Sequence, residues 1–144
     1  MTRFLLFLAI GAGVLAVAAP ATISAPGPAV TVRSSSFGRI LFDGRGFVLY
    51  GFTKDLRGRS VCSGRCAASW PPYIVRSKPT AGPGVDAKLL GTTRRADGKL
   101  QATYAGRPLY YYVGDRSPGQ ILCQNVREFG GLWLVVRASG QLVR

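Results

Sequence analysis

The chain has 144 residues, enough for one domain and too few for two ordinary ones. It holds 19 lysines and arginines against six acidic residues, a formal net charge of +13, and no histidine. The missing imidazole excludes a Ser-His-Asp triad, a Cys-His pair, a histidine-ligated zinc and a Cys-x-x-Cys-His haem attachment, and the few dispersed carboxylates leave little for paired acid–base catalysis or a calcium cage. Neither an enzyme nor a cofactor or metal site is therefore expected.

In chain order, Arg3 opens a short positive segment, Phe4–Ala19 is an uncharged run of 16 residues, and Ala16-Val17-Ala18 offers a small-x-small cleavage site. Residues 1–25 are expected to be a signal peptide, which makes the protein exported: secreted, periplasmic or associated with the cell envelope. A retained membrane anchor is the alternative, and the run is short for one beside the ~20 residues a spanning helix needs. No cysteine precedes Cys62, so an acceptor for an N-terminal lipid is missing. Residues 26–36, rich in Pro, Gly, Ser and Val, read as a flexible lead-in to a β-domain over 37–144. Without Arg3 the remaining chain carries 18 basic and six acidic residues, a net +12.

Shifting the chain by 60 residues lays Gly38–Asp55 without gaps over Gly98–Asp115. Gly38/Gly98, Gly46/Gly106, Leu49/Leu109, Tyr50/Tyr110 and Asp55/Asp115 coincide, which points to duplication. Each copy has the pattern of a β-hairpin. Ile40-Leu41-Phe42 leads through Asp43-Gly44-Arg45-Gly46 into Phe47–Thr53; Leu100–Tyr104 leads through Ala105-Gly106 into Pro108–Val113. Leu132–Val136 reads as a closing strand, and no stretch after the leader sustains a helical period for three turns. The fold class is all-β: a small single domain of two related hairpin units, about 38–72 and 98–136, with a cysteine loop between them.

Strand parity sets Tyr50 with Phe52, and Tyr110 with Tyr112, on one face, and turns Leu49 and Leu109 to the other. Asp55 and Asp115 follow their strands and read as turn caps, each accepting a backbone N–H two residues on. The aromatics read as core packing; the competing reading is a ligand platform. Between the copies, Cys62 and Cys66 stand four apart in a Ser/Gly loop, as a local disulfide would. A redox-active pair, with Arg59 and Arg65 favouring a thiolate, is the sharper alternative. Cys123 is left over: a buried free thiol, a partner for one of the other two, or a point of intermolecular pairing. Trp70-Pro71-Pro72 is expected to cover one end of the core.

Two copies of Tyr-x-aromatic-x-x-Asp, with Cys-x-x-x-Cys-Ala-Ala-x-Trp-Pro-Pro between them, resemble the bacterial family known as the secreted repeat of unknown function, whose members include predicted lipoproteins. The resemblance spans about Phe37–Val136 and takes in Arg95-Ala96-Asp97-Gly98, Pro108-Leu109-Tyr110, Asp115–Gly119 and Gly131-x-Trp133. It implies export, β-structure and repetition, and brings no established activity. The absent lipidation cysteine departs from the lipoprotein members, and Cys123 lies outside the motif.

The basic residues are dispersed, with no run of five or six. Outside a cell such a surface attracts anionic envelope polymers or lipid head groups by a long-range force that salt weakens; no specific nucleic-acid partner is expected. The candidate binding surface is Tyr50, Phe52, Tyr110 and Tyr112, rimmed by Arg57, Arg59, Arg94 and Arg95. The expected role is binding or scaffolding for an anionic envelope component, the alternative a thiol–disulfide or electron-transfer protein using Cys62 and Cys66.

Overall fold

A computed structural model describes residues 29–144; the expected signal peptide, 1–25, lies outside the described residues. The described chain is almost entirely β. The strands are β1 (Ala29–Ser35), β2 (Gly38–Asp43), β3 (Tyr50–Phe52), β4 (Ile74–Val75), β5 (Thr80–Ala81), β6 (Leu90–Arg94), β7 (Leu100–Tyr104), β8 (Arg107–Pro108), β9 (Val126–Glu128) and β10 (Gly131–Val135), with one helical turn, α1 (Arg65–Ser69), in the cysteine loop. They form three small sheets ordered β2-β1-β5, β3-β10-β9 and β4-β7-β6, with β8 added to β7. No described helix is long and apolar enough to cross a membrane.

The expected lead-in, 26–36, is a strand from Ala29 to Ser35. Residues 29–35 are not a flexible tether: Val30-Thr31-Val32-Arg33 alternates at the strand period and pairs antiparallel with β2 from Val30↔Asp43 to Ser35↔Gly38. Val30 is fully buried, which supplies the apolar burial that a tether lacks.

Both hairpins form, but their turns differ in length. In the first, Asp43 N–H donates to Phe47 O and Leu49 N–H to Leu41 O, leaving Gly44–Gly46 as a three-residue loop with Gly46 at φ 95°. In the second, Tyr104 pairs with Arg107 and Leu109 N–H donates to Ala102 O, across a two-residue turn whose Ala105 and Gly106 both have positive φ. Leu41 therefore corresponds to Ala102, not to Gln101. The gapless 60-residue register holds for the second strand of each hairpin and is one residue off in the first. A one-residue slip reverses a strand's faces, so the offset explains why Leu41 and Ala102 share one buried cluster, whereas Gln101 takes the place of Ile40, which packs in the other.

The halves are interlocked rather than side by side. The strand that ends each unit pairs with the hairpin of the other. Tyr73 N–H donates to Leu109 O and Ala102 N–H to Tyr73 O, while β4 pairs with β7. Reciprocally, β10 pairs with β3, and Leu41 N–H donates to Val136 O. The loops after the aspartates cross over too: Gly58 N–H donates to Gly106 O and Gly119 N–H to Gly46 O, each reaching the other unit's turn glycine. Leu49 and Leu109 pack in one core cluster; Tyr50, Phe52, Tyr110 and both tryptophans pack in the other, as strand parity requires.

Candidate functional site

The two repeats meet at Tyr50 and Tyr110, which exchange both backbone hydrogen bonds at 2.9 Å. Their side chains then cross. Tyr50 Oη donates to Asp115 Oδ2 at 2.7 Å, and Tyr110 Oη donates to Asp55 Oδ2 at 2.7 Å. The remaining carboxylate oxygens accept the backbone N–H of Val61 (2.8 Å) and Leu122 (2.9 Å). Asp55 and Asp115 are thus not caps on a bond two residues away. They close loops of six and seven residues and bind the tyrosine of the opposite repeat. The short-range caps are Asp86, Asp97 and Asp43, each accepting the N–H two residues on; Asp43 Oδ1 accepts from both Arg45 N–H and Phe47 N–H, and its Oδ2 from Tyr111 Oη. Burial raises both tyrosine pKa values well above the ordinary range, and raises those of Asp55 and Asp115, in each aspartate against the hydrogen bonds that favour its charge.

Above this crossing the aromatic rings stack. Trp70 and Trp133 lie 4.1 Å apart and parallel within 4°; Phe52 continues the stack on Trp133 at 4.1 Å, and Tyr112 lies on Trp70 at 4.8 Å. Tyr50 meets Trp70 edge-on, and Tyr110 meets Trp133 edge-on. Trp70 and Trp133 are thus equivalent residues of the two repeats, and Trp70 fills the middle of the core rather than covering its end. Trp70 Nε1 donates to Glu128 Oε2 at 2.8 Å, while Trp133 Nε1 is buried without a hydrogen-bond partner.

Arg95 is buried, with 9% of its surface exposed. Its Nη1 donates to Ser60 Oγ and Gln101 Oε1, and its Nη2 to Cys62 O. Since Tyr110 gives its proton to Asp55, Ser60 donates to Tyr110, and a polarised chain runs from Arg95 through Ser60 and Tyr110 to Asp55.

These contacts redraw the expected binding surface. Tyr50 and Tyr110 have no exposed surface and Phe52 only 4%; Tyr112 is half-buried. The aromatics form the core, because the face they share meets the same face of the other repeat. Arg57, Arg59 and Arg94 are exposed, as a rim requires, but Arg95 is an internal strut. Cys62 and Cys66 are joined in the expected disulfide and are both buried, which shields the bond from an attacking thiolate. Cys123 is a free, half-buried thiol beside Tyr112, its pKa raised by burial. It corresponds to Cys62: Val61 and Leu122, the residues bound by the two aspartates, immediately precede them. Among the described residues no group of acidic and cysteine side chains is arranged to hold a metal. The 61-residue spacing of the cysteines and the 63-residue spacing of the tryptophans were readable signals that a gapless alignment passes over.

No curated protein and no solved structure matches this chain. The segment from β6 through β10, residues 91–137, is matched by the family model described as a secreted repeat of unknown function, the family that the tyrosine–aspartate and cysteine–tryptophan motifs resemble.

Proposed function

We propose that this chain is an exported, non-enzymatic β-domain that binds an anionic component of the cell envelope. One observation carries the reading: the fold draws Asp43, Asp55 and Asp115 into internal hydrogen bonds and leaves nearly all of its bases outward. Of the six carboxylates, Asp43, Asp55 and Asp115 are taken up by tyrosine hydroxyls and backbone N–H groups, and Glu128 by the Trp70 indole. Of the 18 basic residues in the described chain, 16 are exposed. Only Arg45 and Arg95 come within ion-pair distance of a carboxylate among the described residues. A surface so poor in internal counter-charge draws anions over a Debye length of ~8 Å at physiological salt. Envelope placement follows from the expected leader and accords with the secreted character of the family matched by residues 91–137.

The test is a binding titration of the exported domain against inorganic polyphosphate and against neutral dextran, at low and physiological ionic strength. Saturable binding to the polyanion that weakens with salt supports the reading. Equal retention by both polymers, or by neither, overturns it.

A further inference from the structure

Two surface clefts adjoin along one side of the domain and share a wall. The first lies between the Asp55–Arg57 loop and the second hairpin's turn; the second lies between that hairpin and the C-terminal residues. Arg107 borders both, Arg57 lines the first, and Arg137 and Arg144 line the second. The one acidic side chain in either wall is Asp55, whose two oxygens already accept from Val61 N–H and Tyr110 Oη.

The arginines are seated by particular backbone features. Arg107 Nε donates to Gly140 O at 2.9 Å, which fixes the guanidinium at the junction of the clefts. A Cβ on Gly106, at φ +76°, would stand 2.8 Å from Arg57 Cγ, so the bare turn is what lets the Arg57 stem lie across it. A Cβ on Gly38 would stand 3.4 Å from Arg137 Nη1. Four arginines therefore border the depression that the two adjoining clefts make together, with no free acidic side chain in its walls. Like charges so placed repel unless an anion lies among them, and guanidinium forks match phosphate oxygens in pairs.

We infer that this depression, from Arg57 through Arg107 to Arg137 and Arg144, is the binding track for a linear phosphate-bearing polymer. The cations are distributed over two recessed clefts that share Arg107, which suits a narrow chain of repeated charges better than the flat face of a bilayer. The inference rests on the proposed anion-binding role and assigns it a place. It also moves that place away from Arg59, Arg94 and Arg95, which line neither cleft.

The experiment compares three forms of the full exported domain against inorganic polyphosphate and against vesicles of phosphatidylglycerol: the wild type, R137Q/R144Q, and R76Q/K78Q, a control of equal net charge altered outside the clefts. A fourth form, R57Q/R107Q/R137Q, is included if its melting curve matches the wild type. The groove variants are expected to lose about tenfold in polyphosphate affinity, the size of a few screened ion contacts, with the control near wild type. Equal losses in groove and control variants would overturn the track while leaving diffuse anion binding intact. Vesicle binding that depends on these arginines, without polymer binding, would overturn the choice of a polymer. A wild type that binds neither probe would remove both the track and the proposed function.

Discussion

Trp70 and Trp133 stack face to face at 4.1 Å, one from each repeat, at the centre of the interlocked core. Each is held edge-on by the motif tyrosine of its own repeat, and each is capped on its outer face by the other repeat's second motif aromatic, Tyr112 or Phe52. A repeat whose ring needs its counterpart as a stacking partner is an incomplete folding unit.

Truncating either indole should be costly. Trp70→Ala and Trp133→Ala are each expected to destabilise the domain by about 3–5 kcal/mol. The double-mutant cycle should return a ring–ring coupling of about 0.5–1.5 kcal/mol. The milder change to Phe separates the two: Trp133→Phe abandons no hydrogen bond, whereas Trp70→Phe loses the one to Glu128. Urea melts in which Trp133→Phe is the more damaging would contradict this assignment.

The crossing of tyrosines and aspartates makes a sharper cycle. Tyr50→Phe leaves Asp115 short of one donor in a buried setting, at about 1.5–3 kcal/mol. Tyr50→Phe should couple to Asp115→Asn and not to Asp55→Asn, although Asp55 is the aspartate in its own motif. Coupling within the motif, in place of coupling across repeats, would show the exchange to be wrong.

Alkaline pH gives an independent readout. Burial raises the pKa of Tyr50, Tyr110 and Tyr111 above the ordinary 10.0. The folded protein therefore keeps these protons where the unfolded chain releases them, so their contribution is complete below pH 10 and falls as pH rises beyond it. The slope is about 1.4 kcal/mol per pH unit for each such tyrosine. Phenolate absorbance of these three should appear only with unfolding, and Tyr110→Phe should flatten the alkaline limb. Phenolate formation by all six tyrosines near pH 10 in the folded state would contradict it.

The Cys62–Cys66 bridge spans four residues, and so short a loop constrains the unfolded chain modestly. Cys62→Ala should cost about 2 kcal/mol under oxidising conditions. An unchanged melting temperature would mean that the bridge contributes nothing to stability.

Gly46 stands at φ 95° in the first turn, and a Cβ there would come within 2.7 Å of Arg33 Nη1 and 3.1 Å of Pro118 Cβ. Gly46→Val is expected to destabilise by about 2 kcal/mol or more, combining left-handed strain with crowding. A variant as stable as the wild type would place the turn elsewhere.

Local signals in the sequence determined the local structure. The turn glycines, the alternation of the hairpin strands, the opposite faces of Leu49 and Tyr50, and the Cys62–Cys66 loop all follow from neighbours within a few residues, where sterics and periodicity act. The tertiary structure decided what those residues meet. Asp55 and Asp115 look like local caps until Tyr110 and Tyr50 arrive from the opposite repeat, and Arg95 looks like a surface cation until Ser60, Gln101 and the Cys62 carbonyl surround it. Residues 29–35 become a strand because β2 offers a long antiparallel edge. For the aspartates and Arg95 the physical reason is that burial and hydrogen-bond satisfaction are set largely by partners tens of residues away, and a repeated motif does not reveal whether its copies pair with themselves or with each other.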